Sequence, residues 1–276
     1  MSFHIGYEKE NATFMTKKMR IVVFCDESSV SELLSVLCDH QTLFIVGANR
    51  PAALKTAEQL NIPFLVQPPI TDRSFKKFCR QLRLFDPDLG VCCSYGMKIP
   101  LEILKIPRNS CINFHGGILP AWRGANILNW VLIEGATETG VSAHFMTEGI
   151  DEGPVIRTQL VDIQFTDTAR TLQKKLAAVT YPLVRDVVLA IANGDSLKTT
   201  LQDESKSKKY RRRFPSDGQI LWSMTDLEIH NLIRGLVHPW PGAYILLANG
   251  EHVVIDSYRS LSEIAKLRHL NQGGTI

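Results

Sequence analysis

Short apolar runs alternate with helical segments along the first half of the chain, and this alternation limits the fold more than any other feature. The apolar runs are residues 19–24, 43–47, 63–66 and 88–93. Helical patterns lie between them at 52–60 and 71–84. Runs of about four to eight apolar residues are typical of buried strands. Because strands that alternate with helices form parallel sheets, we predict an α/β fold with a doubly wound parallel sheet.

Polar side chains stand at the end of a further predicted strand. Residues 110–112 form a short apolar run that leads into Asn113 and His115. Since these two residues are two positions apart, their side chains leave the same face of a strand. Ligands bind beyond the carboxyl ends of strands in open α/β sheets. A later strand over 140–146 ends just before the loop of Asp151, so an amide, an imidazole and a carboxylate can meet at this edge.

Three short motifs with their spacing resemble those of the folate-dependent formyltransferases. They are Asn113-Phe-His115, Leu119-Pro120 and Asp151-Glu-Gly153. This superfamily contains methionyl-tRNA, glycinamide ribonucleotide and sugar N-formyltransferases. The resemblance covers residues 20–245, and the 36-residue interval from His115 to Asp151 suits it. The chain departs from the pattern at Gly117, where the family usually has Ser.

The resemblance implies an N-formyltransferase that uses 10-formyltetrahydrofolate and no metal. It implies that Asn113, His115 and Asp151 are catalytic. Asn113 would donate a hydrogen bond to a developing oxyanion, and His115 would stabilise charge or carry a proton. Asp151 would orient the imidazole or a water and accept the proton that the amine loses. The implied contacts of the formyl donor are Tyr95, Gly96, Met97, Lys98, Ile99, His144, Gly149 and Ile150.

The loop after the fourth predicted strand is the candidate site for the pterin. No Gly-x-Gly-x-x-Gly follows the first strand, so the pattern does not indicate a dinucleotide site in this Rossmann-like sheet. The loop Ser94–Pro100 instead resembles the pterin-binding loop of the family, and a plain strand-to-helix turn is the alternative. Leu119-Pro120 is predicted to be cis, because only an X-Pro bond adopts that isomer cheaply.

The acceptor is predicted from differences within the superfamily. Methionyl-tRNA formyltransferases carry a basic insertion after strand two, which is missing here, and a larger C-terminal barrel than the 61 residues 216–276 suggest. Residues 128–132 and 138–140 resemble sugar-nucleotide formyltransferases. We therefore predict a nucleotide-linked amino sugar, most simply a 4-amino-4,6-dideoxy sugar. The candidate acceptor contacts are Arg123, Arg211, Arg212, Trp240 and Tyr244.

Two alternative functions stay open. One is formylation of methionyl-tRNA or of a carrier-bound aminoacyl group. The other is a non-catalytic ligand-binding protein on the same scaffold, against which the intact Asn113, His115 and Asp151 speak.

Composition agrees with an ordinary globular enzyme. Hydrophobic residues make up 45% of the chain and charged residues 21%, and the net charge of +3 is too small to indicate nucleic acid. We find no membrane-length apolar run and no signal peptide. Six cysteines without a Cys-x-x-Cys pair suggest reduced thiols and no zinc site. We expect a cytoplasmic enzyme of lipopolysaccharide or glycan biosynthesis, without DNA or membrane partners, for which a homodimer is one option.

The chain is expected to have three regions. A long helix from Thr168 to about Asn193 closes the large domain, and Asn249-Gly250 joins two short strands as a hairpin. The regions are a flexible N-terminal extension (1–18), the formyltransferase catalytic domain (19–200) and a linker with a small C-terminal domain (201–276).

Overall fold

A mixed sheet forms the centre of the protein. The computed structural model describes residues 17–26, 30–47, 51–247 and 249–272. Within them, seven strands form one sheet of order β3-β2-β1-β4-β5-β7-β8. The strands up to β8 are β1 (Arg20–Phe24), β2 (Gln41–Gly47), β3 (Phe64–Gln67), β4 (Leu89–Cys93), β5 (Cys111–His115), β6 (Arg123–Gly124), β7 (Glu138–Phe145) and β8 (Val155–Asp162). The short β6 lies outside this sheet.

The first five strands confirm the predicted parallel sheet. β1 to β5 pair in parallel, whereas β5 and β7, and β7 and β8, pair antiparallel. An antiparallel edge on a parallel sheet is common in α/β folds. This edge matters for the site because it sets β7 directly beside the carboxyl end of β5.

Helices cover both faces of the sheet. They are α1 (Val30–Ser35), α2 (Pro51–Gln59), α3 (Phe75–Phe85), α4 (Leu101–Leu104), α5 (Ile127–Ile133), α6 (Ala169–Asn193), α7 (Asp226–Gly235) and α8 (Leu261–Gln272). In β1, Ile21 and Val23 join one apolar cluster, and Val22 and Phe24 join another. Since alternate residues of a strand point to opposite faces, β1 is buried on both sides, as a doubly wound sheet requires.

The predicted long helix is α6. The Thr168 hydroxyl accepts a hydrogen bond from the Thr171 N–H at its start, and Gly194 ends it with a φ of 79°. By length and composition α6 could cross a membrane. Its residues Leu172 and Leu183 are buried in the core on the sheet, so we interpret α6 as a core helix.

A small unit at the C-terminal end has its own apolar cluster. It combines α7 and α8 with a hairpin of β10 (Ala243–Leu246) and β11 (His252–Ile255). The strands pair antiparallel around the turn that contains Gly250, as the Asn-Gly signal predicted. The preceding strand, β9 (Lys209–Tyr210), pairs in parallel with β6. The linker is thereby attached to the segment that follows the predicted catalytic strand.

Candidate active site

The structure brings the three predicted catalytic residues together. Asn113 and His115 lie at the carboxyl end of β5, and Asn113 pairs with His144 on β7. The Asn113 Nδ2 donates to Asp151 Oδ1 over 3.1 Å and lies 3.2 Å from His144 Nε2. His144 Nδ1 lies 2.9 Å from the Phe145 carbonyl. Its Nε2 faces both the Asn113 amide and Asp151 Oδ1, so its role as donor or acceptor is set by the ring tautomer.

Asp151 is the central charge of this cluster. Its side chain is 8% exposed, and its Oδ2 accepts a hydrogen bond from the Gly124 N–H over 3.0 Å. The same oxygen lies 3.4 Å from His115 Nδ1, and Oδ1 lies 3.4 Å from His144 Nε2. The carboxylate therefore links both histidines to the segment after the strand end.

The environment keeps Asp151 ionised. Burial alone would raise the pKa of Asp151, but His115, His144 and the Gly124 N–H outweigh it and hold this pKa well below its usual range. Burial lowers the pKa of His115, although Asp151 and the Trp122 carbonyl act in the opposite direction. At neutral pH a neutral imidazole thus faces a fixed carboxylate. Such a pair can receive a proton and stabilise the resulting charge.

The turn after His115 leaves no room for the serine that the family usually has. A Cβ on Gly117 would lie 2.9 Å from Ile127 Cγ2, from Trp122 Cβ and from the Trp122 carbonyl oxygen. The Ser142 hydroxyl donates to the Gly117 carbonyl over 2.7 Å and thereby braces the turn from β7. The Leu119-Pro120 bond in this turn is cis, which confirms that prediction.

The loop Ser94–Pro100 is held by two side chains that sequence reasoning missed. The Asp26 carboxylate accepts hydrogen bonds from the N–H groups of Gly96 and Gly47, each over 2.8 Å. Gln67 donates to the Lys98 carbonyl and accepts from the Tyr95 hydroxyl. Asp26 follows β1 and Gln67 ends β3, so their position at strand ends was the available signal.

The predicted donor contacts differ in exposure. Gly96 and Lys98 are exposed, Tyr95 and Met97 are half-buried, and Ile99 is buried. Burial raises the pKa of Tyr95. In the loop before Asp151, Gly149 is half-buried and Ile150 keeps 59% of its surface exposed. An exposed apolar side chain therefore adjoins the predicted catalytic cluster.

The five predicted acceptor contacts have different surroundings. Arg123 is fully buried and bonds Gln202 and Glu204, whereas Arg211 pairs with Asp217. Arg212 is exposed and donates to the Gly96 carbonyl over 3.0 Å, which places it at the loop Ser94–Pro100, the predicted donor loop. The two aromatic residues are placed by packing: Trp240 lies against the main core and Tyr244 stacks on His252 in the hairpin.

A ladder of aromatic and cationic side chains adjoins the site. Trp122 stacks on Tyr210 with ring centroids 4.9 Å apart, and the Trp130 ring centroid lies 5.5 Å from that of Tyr210. The Arg213 guanidinium lies 4.7 Å from the Trp130 ring. Because the Trp122 carbonyl contacts His115 Nε2, this ladder connects the linker to the His115 imidazole. Sequence reasoning did not predict it.

Cysteine and metal chemistry are not evident in the described part of the chain. All six cysteines lie in the described residues and form no disulfide there, and five of them are buried. In residues 17–26, 30–47, 51–247 and 249–272, no group of three or more His, Cys, Asp or Glu side chains is arranged to hold a metal ion.

Comparison with known proteins gives two family matches. The formyl transferase family model matches residues 19–188, and that of the formyl transferase C-terminal domain matches residues 213–274. The methionyl-tRNA formyltransferase of Thermodesulfovibrio yellowstonii is 33% identical over 198 residues, which cover 71% of this chain. The match spans 62% of that relative's own length.

Two solved structures share the fold. A 4-N formyltransferase from Francisella tularensis superposes with a TM-score of 0.73 at 20% identity, covering 88% of this chain and 98% of its own. An N-formyltransferase from Helicobacter canadensis, in complex with folinic acid and dTDP-3-aminofucose, gives a TM-score of 0.63 at 20% identity. That match covers 79% of this chain and 80% of the other. At such identities the likeness concerns the fold alone.

Proposed function

Because this chain belongs to the formyl transferase family, we propose that it is an N-formyltransferase whose acceptor is a nucleotide-linked amino sugar. The formyl donor would be 10-formyltetrahydrofolate, which supplies an electrophilic formyl carbon when bound. The observation that carries the proposal is the contact of Asn113, His115 and Asp151 at one strand end. A 4-amino-4,6-dideoxy sugar is the simplest acceptor, and a cytoplasmic role in glycan biosynthesis is part of the proposal.

Asn113 is assigned the stabilisation of negative charge. A carboxamide has two N–H donors, and the bond to Asp151 fixes the plane in which they lie. Donors that are already oriented stabilise a developing oxyanion without reorganisation, which is a large catalytic effect. Asn113 therefore donates to the formyl oxygen as it gains charge.

His115 and Asp151 are assigned the proton transfers. The attacking amine loses a proton as its bond to the formyl carbon forms, and the neutral His115 ring can accept it. Asp151, 3.4 Å away, stabilises the charged ring. His115 can then return the proton to the leaving nitrogen, which restores the starting state of both residues.

The residues of the donor loop fit a flat heteroaromatic ring. Gly96 is exposed and has no side chain, so a flat ring can approach the backbone of the loop closely there. Met97 and the exposed Ile150 supply apolar surface for its faces. Asp26 and Gln67 brace the loop from behind, so its shape exists before a ligand binds.

Arg212 supports a phosphate-bearing acceptor. Four neighbouring cations each pair with a carboxylate: Lys206 with Asp203, Lys208 with Glu134, Lys209 with Glu152 and Arg211 with Asp217. Arg212 instead bonds a backbone carbonyl of the donor loop. An exposed guanidinium suits bidentate binding of phosphate. The dTDP-linked amino sugar bound to the Helicobacter canadensis enzyme agrees with this assignment.

Methionyl-tRNA is the second candidate acceptor. The 33% identity to a methionyl-tRNA formyltransferase favours it. The missing basic insertion after strand two and the exposed Arg212 beside the donor loop favour the nucleotide sugar.

Calorimetric titration separates the two acceptors. We expect dTDP, UDP or GDP to bind the protein, and Arg212→Ala to weaken that binding by about tenfold or more. Arg185→Ala, an exposed arginine on α6, is the matched control and should bind as the wild type does. Binding of aminoacylated tRNA without affinity for any nucleoside diphosphate would instead favour methionyl-tRNA.

A further inference from the structure

The turn that carries Asp151 has an unusual backbone. Asp151 has a φ of 57°, in the left-handed region that most side chains avoid. Two positions later, a Cβ on Gly153 would collide with the Phe145 carbonyl oxygen. The surroundings must therefore hold this turn in place, because its conformation is not favoured by the chain alone.

One side chain spans the turn from outside. The Gln202 Nε2 donates to the Asp151 carbonyl over 2.8 Å and to the Gly153 carbonyl over 2.7 Å. Gln202 is 51 positions away from Asp151 in the sequence and follows the short bridge between Val155 and Thr200. The two N–H groups of one carboxamide thus fix both ends of the Asp151 turn.

The other end of Gln202 is clamped by a buried arginine. Its Oε1 accepts from Arg123 Nε over 3.0 Å and from Arg123 Nη2 over 2.8 Å. Arg123 is fully buried and also bonds both carboxylate oxygens of Glu204. If the carboxamide flipped, its N–H groups would face the N–H donors of Arg123, and its oxygen would face the carbonyls of Asp151 and Gly153. Its orientation is therefore set by Arg123 and Glu204.

We propose that Gln202 is a positioning residue for Asp151, held in place by Arg123 and Glu204. This inference rests on the proposed role of Asp151 in formyl transfer. Gln202 fixes the backbone of the turn, and the turn fixes the carboxylate between His115 and His144. Arg123 acts here as part of this clamp and not as a ligand of the acceptor.

The test replaces Gln202 by a side chain that keeps the hydrogen bonds from Arg123 and loses those to the Asp151 turn. Gln202→Glu keeps its size and its acceptors for Arg123, but it loses both N–H donors and sets oxygen against the carbonyls of Asp151 and Gly153. We expect kcat for formyl transfer to fall by about ten- to hundredfold, since a displaced catalytic group costs about that much. The dissociation constant of 5-formyltetrahydrofolate should change by less than about threefold.

Two further variants serve as a control and as a second test of the clamp. Gln159→Glu makes the same change at an exposed position of β8 and should leave kcat unchanged. Glu204→Gln weakens the clamp at a residue whose side chain is 69% exposed, where the fold should tolerate it. It should lower kcat in the same direction by about three- to tenfold. A wild-type kcat in both Gln202→Glu and Glu204→Gln would overturn the proposal.

An acceptor-independent measurement distinguishes this inference from the proposed function. Asp151 raises the pKa of His115, so displacing Asp151 lowers that pKa. Because Gln202→Glu adds a negative charge of its own beside the Asp151 turn, this measurement uses the neutral variant Gln202→Met with Gln159→Met as its control, and imidazole NMR titration follows the shift without any substrate. Absence of turnover with every amino-sugar nucleotide would refute the proposed acceptor. An unchanged His115 titration in Gln202→Met would refute the positioning role.

Discussion

Replacing Gly117 by Ser tests the packing around His115, the proposed catalytic histidine. The new Cβ would lie 2.9 Å from the Trp122 Cβ and carbonyl oxygen and from Ile127 Cγ2. Favourable separations between carbon atoms are about 3.5–4.0 Å, so the turn or Trp122 must shift. Overpacking of this kind costs about 1–3 kcal/mol. At the neighbouring Gly116 a Cβ meets nothing within 4 Å, which makes Gly116→Ser a matched control.

The shift should also lower the rate of formyl transfer. Because the Trp122 carbonyl contacts His115 Nε2, displacing Trp122 moves the imidazole. We expect Gly117→Ser to unfold roughly 2–12 °C below Gly116→Ser and to lose at least about tenfold in kcat. Thermal unfolding followed by circular dichroism and a formyl-transfer assay measure the two effects. Equal melting temperatures and equal kcat in the two variants would refute the reasoning.

Three further predictions concern the site itself. Asp151→Asn should lower the free energy of unfolding by about 2 kcal/mol at pH 7. Since the folded-state pKa of Asp151 is depressed, this difference is fully present above the ordinary carboxyl pKa of 3.8 and disappears as the pH falls through the lower folded value. Urea unfolding across that range checks it, and a difference that is constant with pH would contradict it. Asn113→Ala and His115→Ala should each lower kcat at least about a hundredfold with an unchanged far-UV spectrum, and near-wild-type turnover would remove the catalytic assignment. Gly96→Val should weaken binding of 5-formyltetrahydrofolate and Lys98→Ala should hardly change it; calorimetry showing the reverse order would argue against the donor-loop assignment.

Local signals were enough to predict much of the fold. The cap at Thr168 and the glycine at position 194 were enough to predict where α6 begins and ends. The Asn249-Gly250 signal predicted the hairpin. Asn113 and His115 could be placed on one strand face because their spacing alone determines it.

Features that depend on distant partners could not be predicted in the same way. The β6–β9 pairing joins short segments that are weak strands by themselves. The start of α8, in contrast, has a local signal that sequence reasoning missed, the capping box of Ser260 and Glu263. Arg123 resembled a phosphate ligand because its partner Glu204 is 81 positions away. The link from Gln202 to Asp151 was invisible for the same reason, since only the folded chain brings them together.

The most direct test of the central claim is turnover. The protein is incubated with 10-formyltetrahydrofolate and either a panel of nucleotide-linked amino sugars or methionyl-tRNA, and release of tetrahydrofolate is followed with the His115→Ala variant as control. We predict release that depends on an amino-sugar nucleotide and on His115. Release with methionyl-tRNA alone would contradict the proposed acceptor, and equal release by the His115→Ala variant would contradict the proposed active site.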